Sequence, residues 1–235
     1  MPIPFFYFAT LARQVDAFVL DEKSSRHIIQ VLRMKPGEML KLTDGRGLSA
    51  LATIQDDHKK RCTVTITEKQ IQQPPVRRVQ IGVSLLKNMS RFEWFLEKAM
   101  ELGVSEIIPL KCARTEKQQF RMERMLGIME SAMIQSQQVW MPVLQDPQPF
   151  IPWVEQVHAD QKFIAHCEAG AKRRLSEMVN THLSSQLILI GPEGDFTGEE
   201  IKQALASHFI AVELGENRLR SETAAVAAAS VLKLL

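Results

Sequence analysis

Two places in this chain carry an apolar strand pattern into glycine and then into a helix, and they limit the fold more than any other feature. The first runs Leu187–Ile190, then Gly191-Pro192-Glu193-Gly194-Asp195-Phe196, then a helix pattern over Thr197–Ser207. The second runs Phe209–Leu214, then Gly215-Glu216-Asn217-Arg218-Leu219-Arg220, then a helix over Ser221–Leu235. Strand, short loop, helix and strand again is the arithmetic of a parallel sheet, whose neighbouring strands need a crossover that a helix supplies. The rest of 74–235 keeps that rhythm. Strands are expected over Val79–Leu86, Val104–Leu110 and Phe163–His166, and helices over Ser90–Leu102, Met122–Gln138 and, for the most part, Ala171–Leu183. The expected fold class is α/β, a parallel sheet with helices on both faces. Ligands on such sheets sit outside the carboxyl ends of the strands.

The first third of the chain reads differently. Phe5–Ala9, Met39–Leu42, Leu48–Ile54 and Cys62–Thr67 are short apolar or alternating runs, separated by turn sequences such as Asp44-Gly45-Arg46-Gly47. One helix is expected over Ser24–Met34, capped by Ser24 or Ser25, with Ile28, Ile29 and Leu32 as its apolar stripe. Several short strands around one helix predict a small β-barrel. Gln70–Gln73 and Pro74-Pro75 then read as a linker, which divides the chain into domains 1–73 and 74–235.

Charge divides the chain elsewhere, near residue 124. Residues 1–73 are net +3 and residues 74–124 net +4, against net −5 for 125–235, within a total of +2. A positive first half permits a polyanion such as RNA without requiring one. The three cysteines form no CxxC pair and the six histidines no ligand spacing, so neither a disulfide scaffold nor a structural metal is expected. The apolar opening PIPFFYFATLA is short for a signal peptide and no stretch reaches the length of a membrane span. A cytoplasmic protein is the expectation.

The two glycine corners carry the chemistry. The first lacks GxxxxGK[ST] and GxGxxG, and Glu193 and Asp195 would repel phosphate, so an acidic glycine loop suits a neutral or cationic ligand held through backbone groups. Thr197 and Glu200 form a capping-box pattern. In the second corner Ser221 reads as the N-cap of an Ala-rich helix. Arg220 at a helix start is electrostatically disfavoured, so a salt bridge to Glu222 or an anionic ligand should compensate it. Trp94, beside Phe92 and Phe95 on one helix, reads as packed.

GPEGDF followed some twenty residues on by LGENRLRSETA resembles the C-terminal signature of the RsmE-type 16S ribosomal RNA methyltransferases of the SPOUT superfamily. The likeness extends over His27–Gly47, Lys87, Glu93, the stretch Glu97–Val104, Pro109, Arg114-Thr115, Ala132 and Gln135-Ser136, so it covers essentially the whole chain. Three departures stand out. Asp195 occupies the position of a second glycine, Ile134 precedes and Gln137-Gln138 follow the Gln-Ser pair, and no arginine occurs before Arg13.

The resemblance implies S-adenosyl-L-methionine-dependent methylation of N3 of one uridine in 16S rRNA of the small ribosomal subunit. It also implies a PUA-like N-terminal RNA-binding barrel, a C-terminal trefoil knot and a homodimer formed through the C-terminal domain. By position, the cofactor would be held by His166, Glu168, Ile190, Gly191, Pro192, Glu193, Gly194, Leu214, Gly215, Leu219, Thr223 and Ala224. Arg220 would stabilise charge on the uracil, and Glu222 would act as base or orient Arg220. RNA would meet Arg13, Arg33, Lys59, Lys60, Arg61, Lys87 and Arg114. Two other readings stay open: the same fold acting on another RNA or another atom, such as a ribose 2′-hydroxyl, and a non-catalytic RNA-binding or ribosome-assembly protein. Cofactor titration separates the last from the others.

Overall fold

The computed structural model describes residues 3–14, 16–116 and 119–235. The chain divides into two compact units, one made of Met1–Pro74 with Met133–Met141, the other of Pro75–Ala132 with Pro142–Leu235.

The first unit holds a five-stranded sheet in the order β1 (Phe5–Tyr7), β3 (Met39–Thr43), β4 (Leu48–Asp56), β5 (Thr63–Ile71), β2 (Ala17–Val19). The β1–β3 pair is parallel and the others antiparallel. The period of two is visible in β3, where Leu40 and Leu42 are buried and Met39 is exposed. Together with Phe6, Leu11, Phe18, Ile28, Ile54 and Val64 they form one core. The turn before β4 needs both of its glycines. Gly45 and Gly47 have φ of 68° and 95°, and a side chain on Gly47 would overlap the Trp140 ring.

The expected Ser24–Met34 helix is corrected. The helix α1 covers only Glu22–Arg26, followed by one π turn over His27–Val31. Its cap is Asp21, whose Oδ1 accepts the Ser24 N–H at 2.9 Å, because an aspartate three residues upstream outcompetes either serine. Ser25 is instead fully buried, donating to Leu20 O and accepting the Cys62 N–H at 3.0 Å. Of the expected stripe, Ile28 is buried and Leu32 exposed.

The second unit is the expected parallel sheet. Its strands are β6 (Arg78–Ser84), β7 (Glu106–Lys111), β8 (Val143–Leu144), β9 (Gln148–Pro149), β10 (Gln161–Ala165), β11 (Arg173–Arg174), β12 (Ser185–Ile190) and β13 (Ile210–Glu213). Their order is β11-β13-β10-β12-β6-β7-β8, with β9 also on β7. The central strands are continuous apolar runs because both faces are covered. The helices are α2 (Met89–Glu101), α3 (Met122–Ser136), α4 (Phe150–Gln156), α5 (Leu175–Met178), α6 (Gly198–Ala206) and α7 (Ser221–Leu234). Gly103, at φ 71°, follows the C-cap of α2, as the sequence pattern requires. On α2, Phe92 and Phe95 are buried, but Trp94 lies on the other side of the helix and is 43% exposed, against the packed reading.

The helix expected over Ala171–Leu183 is also corrected: it is a two-residue strand and the single turn α5. Leu175 is its one fully sealed apolar anchor, and side chains of Gln161 and Gln186 take the backbone of Asn180. With so little to bury, a longer helix has nothing to repay its nucleation. No helix among the described residues is long and apolar enough to cross a membrane.

Candidate functional site

Strands β10, β12 and β13 are neighbours that end on the same side of the sheet, so the loops after them converge. Residues of 165–172, 190–195 and 212–221, with Ala224, line a cavity of about 560 Å³. That volume lies in the ordinary range for small-molecule sites.

The loop after β10 is folded by Lys172, whose ammonium donates to His166 O at 2.6 Å and Glu168 O at 2.7 Å. His166 lines the cavity, and both its ring nitrogens are buried without a hydrogen-bond partner among the described residues. Burial and the Lys172 charge hold its pKa below the ordinary histidine value, against the opposing pull of Asp195 and Glu168. A neutral imidazole without a protein partner is a group waiting for a ligand's donor or acceptor.

The loop after β12 is tighter. The Asp195 N–H donates to Pro192 O at 2.9 Å, and a Cβ on Gly191 would press on Phe196 at 3.1 Å. Asp195, which occupies the position of a second glycine in the resembled signature, has a positive φ of 64°. The expected capping box is present: the Glu200 N–H donates to Thr197 Oγ1, and Glu200 Oε2 accepts the Thr197 N–H at 2.8 Å. Glu200 also accepts the Ala113 N–H at 2.7 Å through Oε1. Arg114, expected at RNA, donates to Gly194 O at 2.6 Å and Phe196 O at 3.3 Å, so its guanidinium braces this loop. Lys87 pairs with Glu116 at 3.0 Å, and its backbone N–H donates to Glu193 Oε1 at 3.1 Å.

In the loop after β13, Gly215 sits at φ 140° and Glu216 pairs with Arg174 at 3.1 Å. The expectation for Ser221 is corrected. Arg220 is the N-cap of α7, without a side-chain cap hydrogen bond, and Ser221 is the first helical residue, buried at the cavity. The extended backbone at Arg220 moves the helix start one residue upstream of the serine that local preference would choose.

Arg220 lines the cavity, is exposed, and has no ion pair among the described residues. Glu222, the partner expected for it, is buried outside the cavity lining and lies 3.7 Å from Arg91 Nε on α2, while its Oε2 has no hydrogen-bond partner among the described residues. The helix-start cation is therefore open to solvent and unpaired among the described residues.

Of the twelve positions expected at the cofactor, the cavity brings together His166, Ile190, Gly191, Pro192, Glu193, Leu214, Gly215, Leu219 and Ala224. Glu168 and Gly194 lie on the flanking loops, outside the lining, and Thr223 is exposed on α7. Lys172 and Asp195 line it without having been expected there. Lys172 had a legible signal, a lysine six residues beyond the expected strand end at His166, but its carbonyl partners exist only once the loop is folded. Of the remaining residues expected at RNA, Arg13 closes a 3-10 turn, Arg33 sits at φ 56°, and Lys59, Lys60 and Arg61 form the β4–β5 turn of the first unit. Lys60 is 3.6 Å from Glu22. No cluster of three metal-ligating side chains occurs among the described residues.

The chain matches the RNA methyltransferase domain over residues 72–233 and the RNA methyltransferase PUA domain over residues 20–67. It is 27% identical to the ribosomal RNA small subunit methyltransferase E of Bacillus subtilis (strain 168), over 96% of this chain and 94% of that one. Among solved structures, it is similar to a probable rRNA-methyltransferase from Porphyromonas gingivalis at 32% identity and TM-score 0.91, covering 99% of each chain. A ribosomal RNA small subunit methyltransferase E from Neisseria gonorrhoeae, solved bound to S-adenosyl methionine, is 27% identical with TM-score 0.87, over 99% of this chain and 97% of that one. With two thirds of its length in that catalytic domain and the PUA domain ahead of it, this chain belongs to the RNA methyltransferase family.

Proposed function

We propose that this protein is an S-adenosyl-L-methionine-dependent methyltransferase that modifies N3 of a uridine in 16S rRNA of the small ribosomal subunit. The observation that carries the reading is Arg220: an unpaired guanidinium on the wall of a cavity built at the carboxyl ends of β10, β12 and β13. Family membership and the cofactor held by the Neisseria gonorrhoeae relative support it.

The cavity fits the cofactor. His166 offers two buried ring nitrogens without protein partners, Gly191 and Gly215 leave backbone groups accessible, and Ile190, Leu214 and Leu219 provide apolar wall for an adenine. These residues, with Pro192, Glu193 and Ala224 around them, would hold it. S-adenosylmethionine supplies a methyl group already activated by its sulfonium.

The chain's own task is to align the uracil and manage the N3 proton. Arg220 is assigned the negative charge that grows on O2 and O4 as N3 loses its proton. Glu222 is assigned as base. That role rests on the resemblance, since Glu222 lies outside the cavity lining, and its contact with Arg91 counts against a role in orienting Arg220. Arg13, Arg33, Lys59, Lys60 and Arg61 are proposed to contact RNA phosphates, with residues 1–73 as the PUA-like barrel domain and 74–235 as the methyltransferase domain.

A trefoil knot in the second domain belongs to the proposal. It is supported by α7, which follows β13 near one edge of the sheet yet packs against β6, β12 and α2. A homodimer through that domain and a cytoplasmic location complete it.

The test is methyl transfer to small ribosomal subunits lacking the modification, followed by nucleoside mass spectrometry. A 3-methyluridine product is expected. A different methylated nucleoside would overturn the target atom, and no product from folded protein that binds the subunit would favour the non-catalytic reading.

A further inference from the structure

Asp195 is left without a task by that chemistry, yet it is the most constrained residue of the β12 loop. Its φ of 64° lies in the left-handed region, where a side chain costs free energy and glycine does not. The carboxylate is not spent on a cation, for no ion pair includes it among the described residues. Both oxygens are used on backbone instead. Oδ2 accepts the Cys167 N–H at 2.7 Å, and Oδ1 accepts the Phe196 N–H at 2.8 Å.

These two bonds have different addresses. Phe196 is fully buried and packs on Phe150 with ring centroids 5.1 Å apart, so that end is anchored in the core. Cys167 is an exposed residue of the β10 loop, directly after His166. The left-handed backbone at 195 lets one residue close its own turn onto Pro192 O and still reach back to both amides.

We propose that Asp195 is a positioning residue: a clasp that ties the β10 loop to the β12 loop and so sets the width of the cavity between His166 and Gly191. The inference rests on the reading of that cavity as the cofactor site. Asp195 acts through the Cys167 backbone. The left-handed strain at 195 is then retained because the carboxylate returns two hydrogen bonds to an ionised acceptor.

The test compares Asp195→Gly and Asp195→Asn with the wild type by calorimetric titration with S-adenosylhomocysteine, thermal melting and amide hydrogen exchange without ligand. Asp195→Gly removes both strain and clasp. It is expected to melt within about 3 °C of the wild type, since the relieved strain offsets part of the two lost bonds, while binding S-adenosylhomocysteine about tenfold more weakly, the order of one hydrogen bond to a charged group. Exchange at the 166–168 amides should quicken. Asp195→Asn, whose carbonyl can still accept one of the two N–H groups, should fall between.

Wild-type affinity and wild-type exchange in Asp195→Gly would overturn the clasp, as would an affinity loss accompanied by a matching loss of global stability. A wild-type protein that binds no S-adenosylhomocysteine would instead overturn the cofactor reading beneath it.

Discussion

Glu200 joins the start of α6 to the segment after β7, and replacing it by alanine should be the costliest single change among the polar residues near the cavity. Its side chain is buried and accepts three hydrogen bonds: the Thr197 N–H at 2.8 Å, the Thr197 hydroxyl at 3.0 Å and the Ala113 N–H at 2.7 Å. Losing its half of the capping box costs about 1 kcal/mol. The bond from Ala113 to an ionised acceptor is worth about 1.5 kcal/mol at the low end, because Ala113 is exposed and water can replace part of it. The buried side-chain methylenes add about 1 kcal/mol. The sum for Glu200→Ala is about 3.5 kcal/mol, or about 7–14 °C in melting temperature for a domain of this size. Glu200→Gln keeps the volume and one carbonyl acceptor and should lose about half as much. Urea unfolding followed by far-UV circular dichroism, with the slope checked for constancy, measures both. A loss under about 1 kcal/mol for the alanine variant, or none for the glutamine relative to wild type, would refute the assignment of Glu200 as a three-donor acceptor.

The remaining predictions concern the cavity and the basic turn. Arg220→Ala should lower methyl transfer by about a hundredfold to a thousandfold, the scale of removing one group that stabilises developing negative charge, while changing melting temperature and cofactor affinity little; single-turnover kinetics beside a cofactor titration would check it, and a loss confined to cofactor affinity would count against the role. Glu222→Gln should also cut turnover, without recovery when Arg220 is intact. His166 has a folded-state pKa below its ordinary 6.5, so its neutral form supports the fold fully above that value, and the contribution is lost as pH falls through the depressed folded pKa. Unfolding free energies measured from pH 7.5 downward should therefore decline less steeply for His166→Gln; an unchanged slope would show that the imidazole is not the group responsible. Replacing Lys59, Lys60 and Arg61 together by alanine should flatten the salt dependence of RNA binding by about two units of log–log slope rather than the full three charges, since Lys60 already shares Glu22; a slope equal to wild type would remove this turn from the RNA contact.

The corrections share one cause. Asp21 and Arg220 displaced the expected serine caps of α1 and α7, and each shift is by only one to four residues. A cap preference is local, but which residue takes the extended backbone depends on where the preceding strand or loop delivers the chain. The Ala171–Leu183 stretch has helix-forming residues and yields one turn, because what it could bury is a single leucine. Arg114 is legible only as a cation, expected at RNA, because its carbonyl partners Gly194 and Phe196 are eighty residues away in the chain, and no spacing rule reaches that far.

Periodicity and punctuation alone establish the α/β class, the change of character near Pro74, the glycine at 103 that ends α2, the capping box at Thr197 and Glu200, and the two glycine corners. All of these are interactions within a few residues, where chain geometry leaves few alternatives. Tertiary structure alone decides that β10, β12 and β13 lie side by side, so that three loops from positions 165 to 221 share one cavity. It also decides that Asp195 spends its carboxylate on a neighbouring loop, that Glu222 turns to Arg91, and that Arg220 is left uncompensated. Those outcomes depend on which groups meet after the sheet has formed, and the free energy of a buried or unpaired charge belongs to its surroundings rather than to its position in the chain.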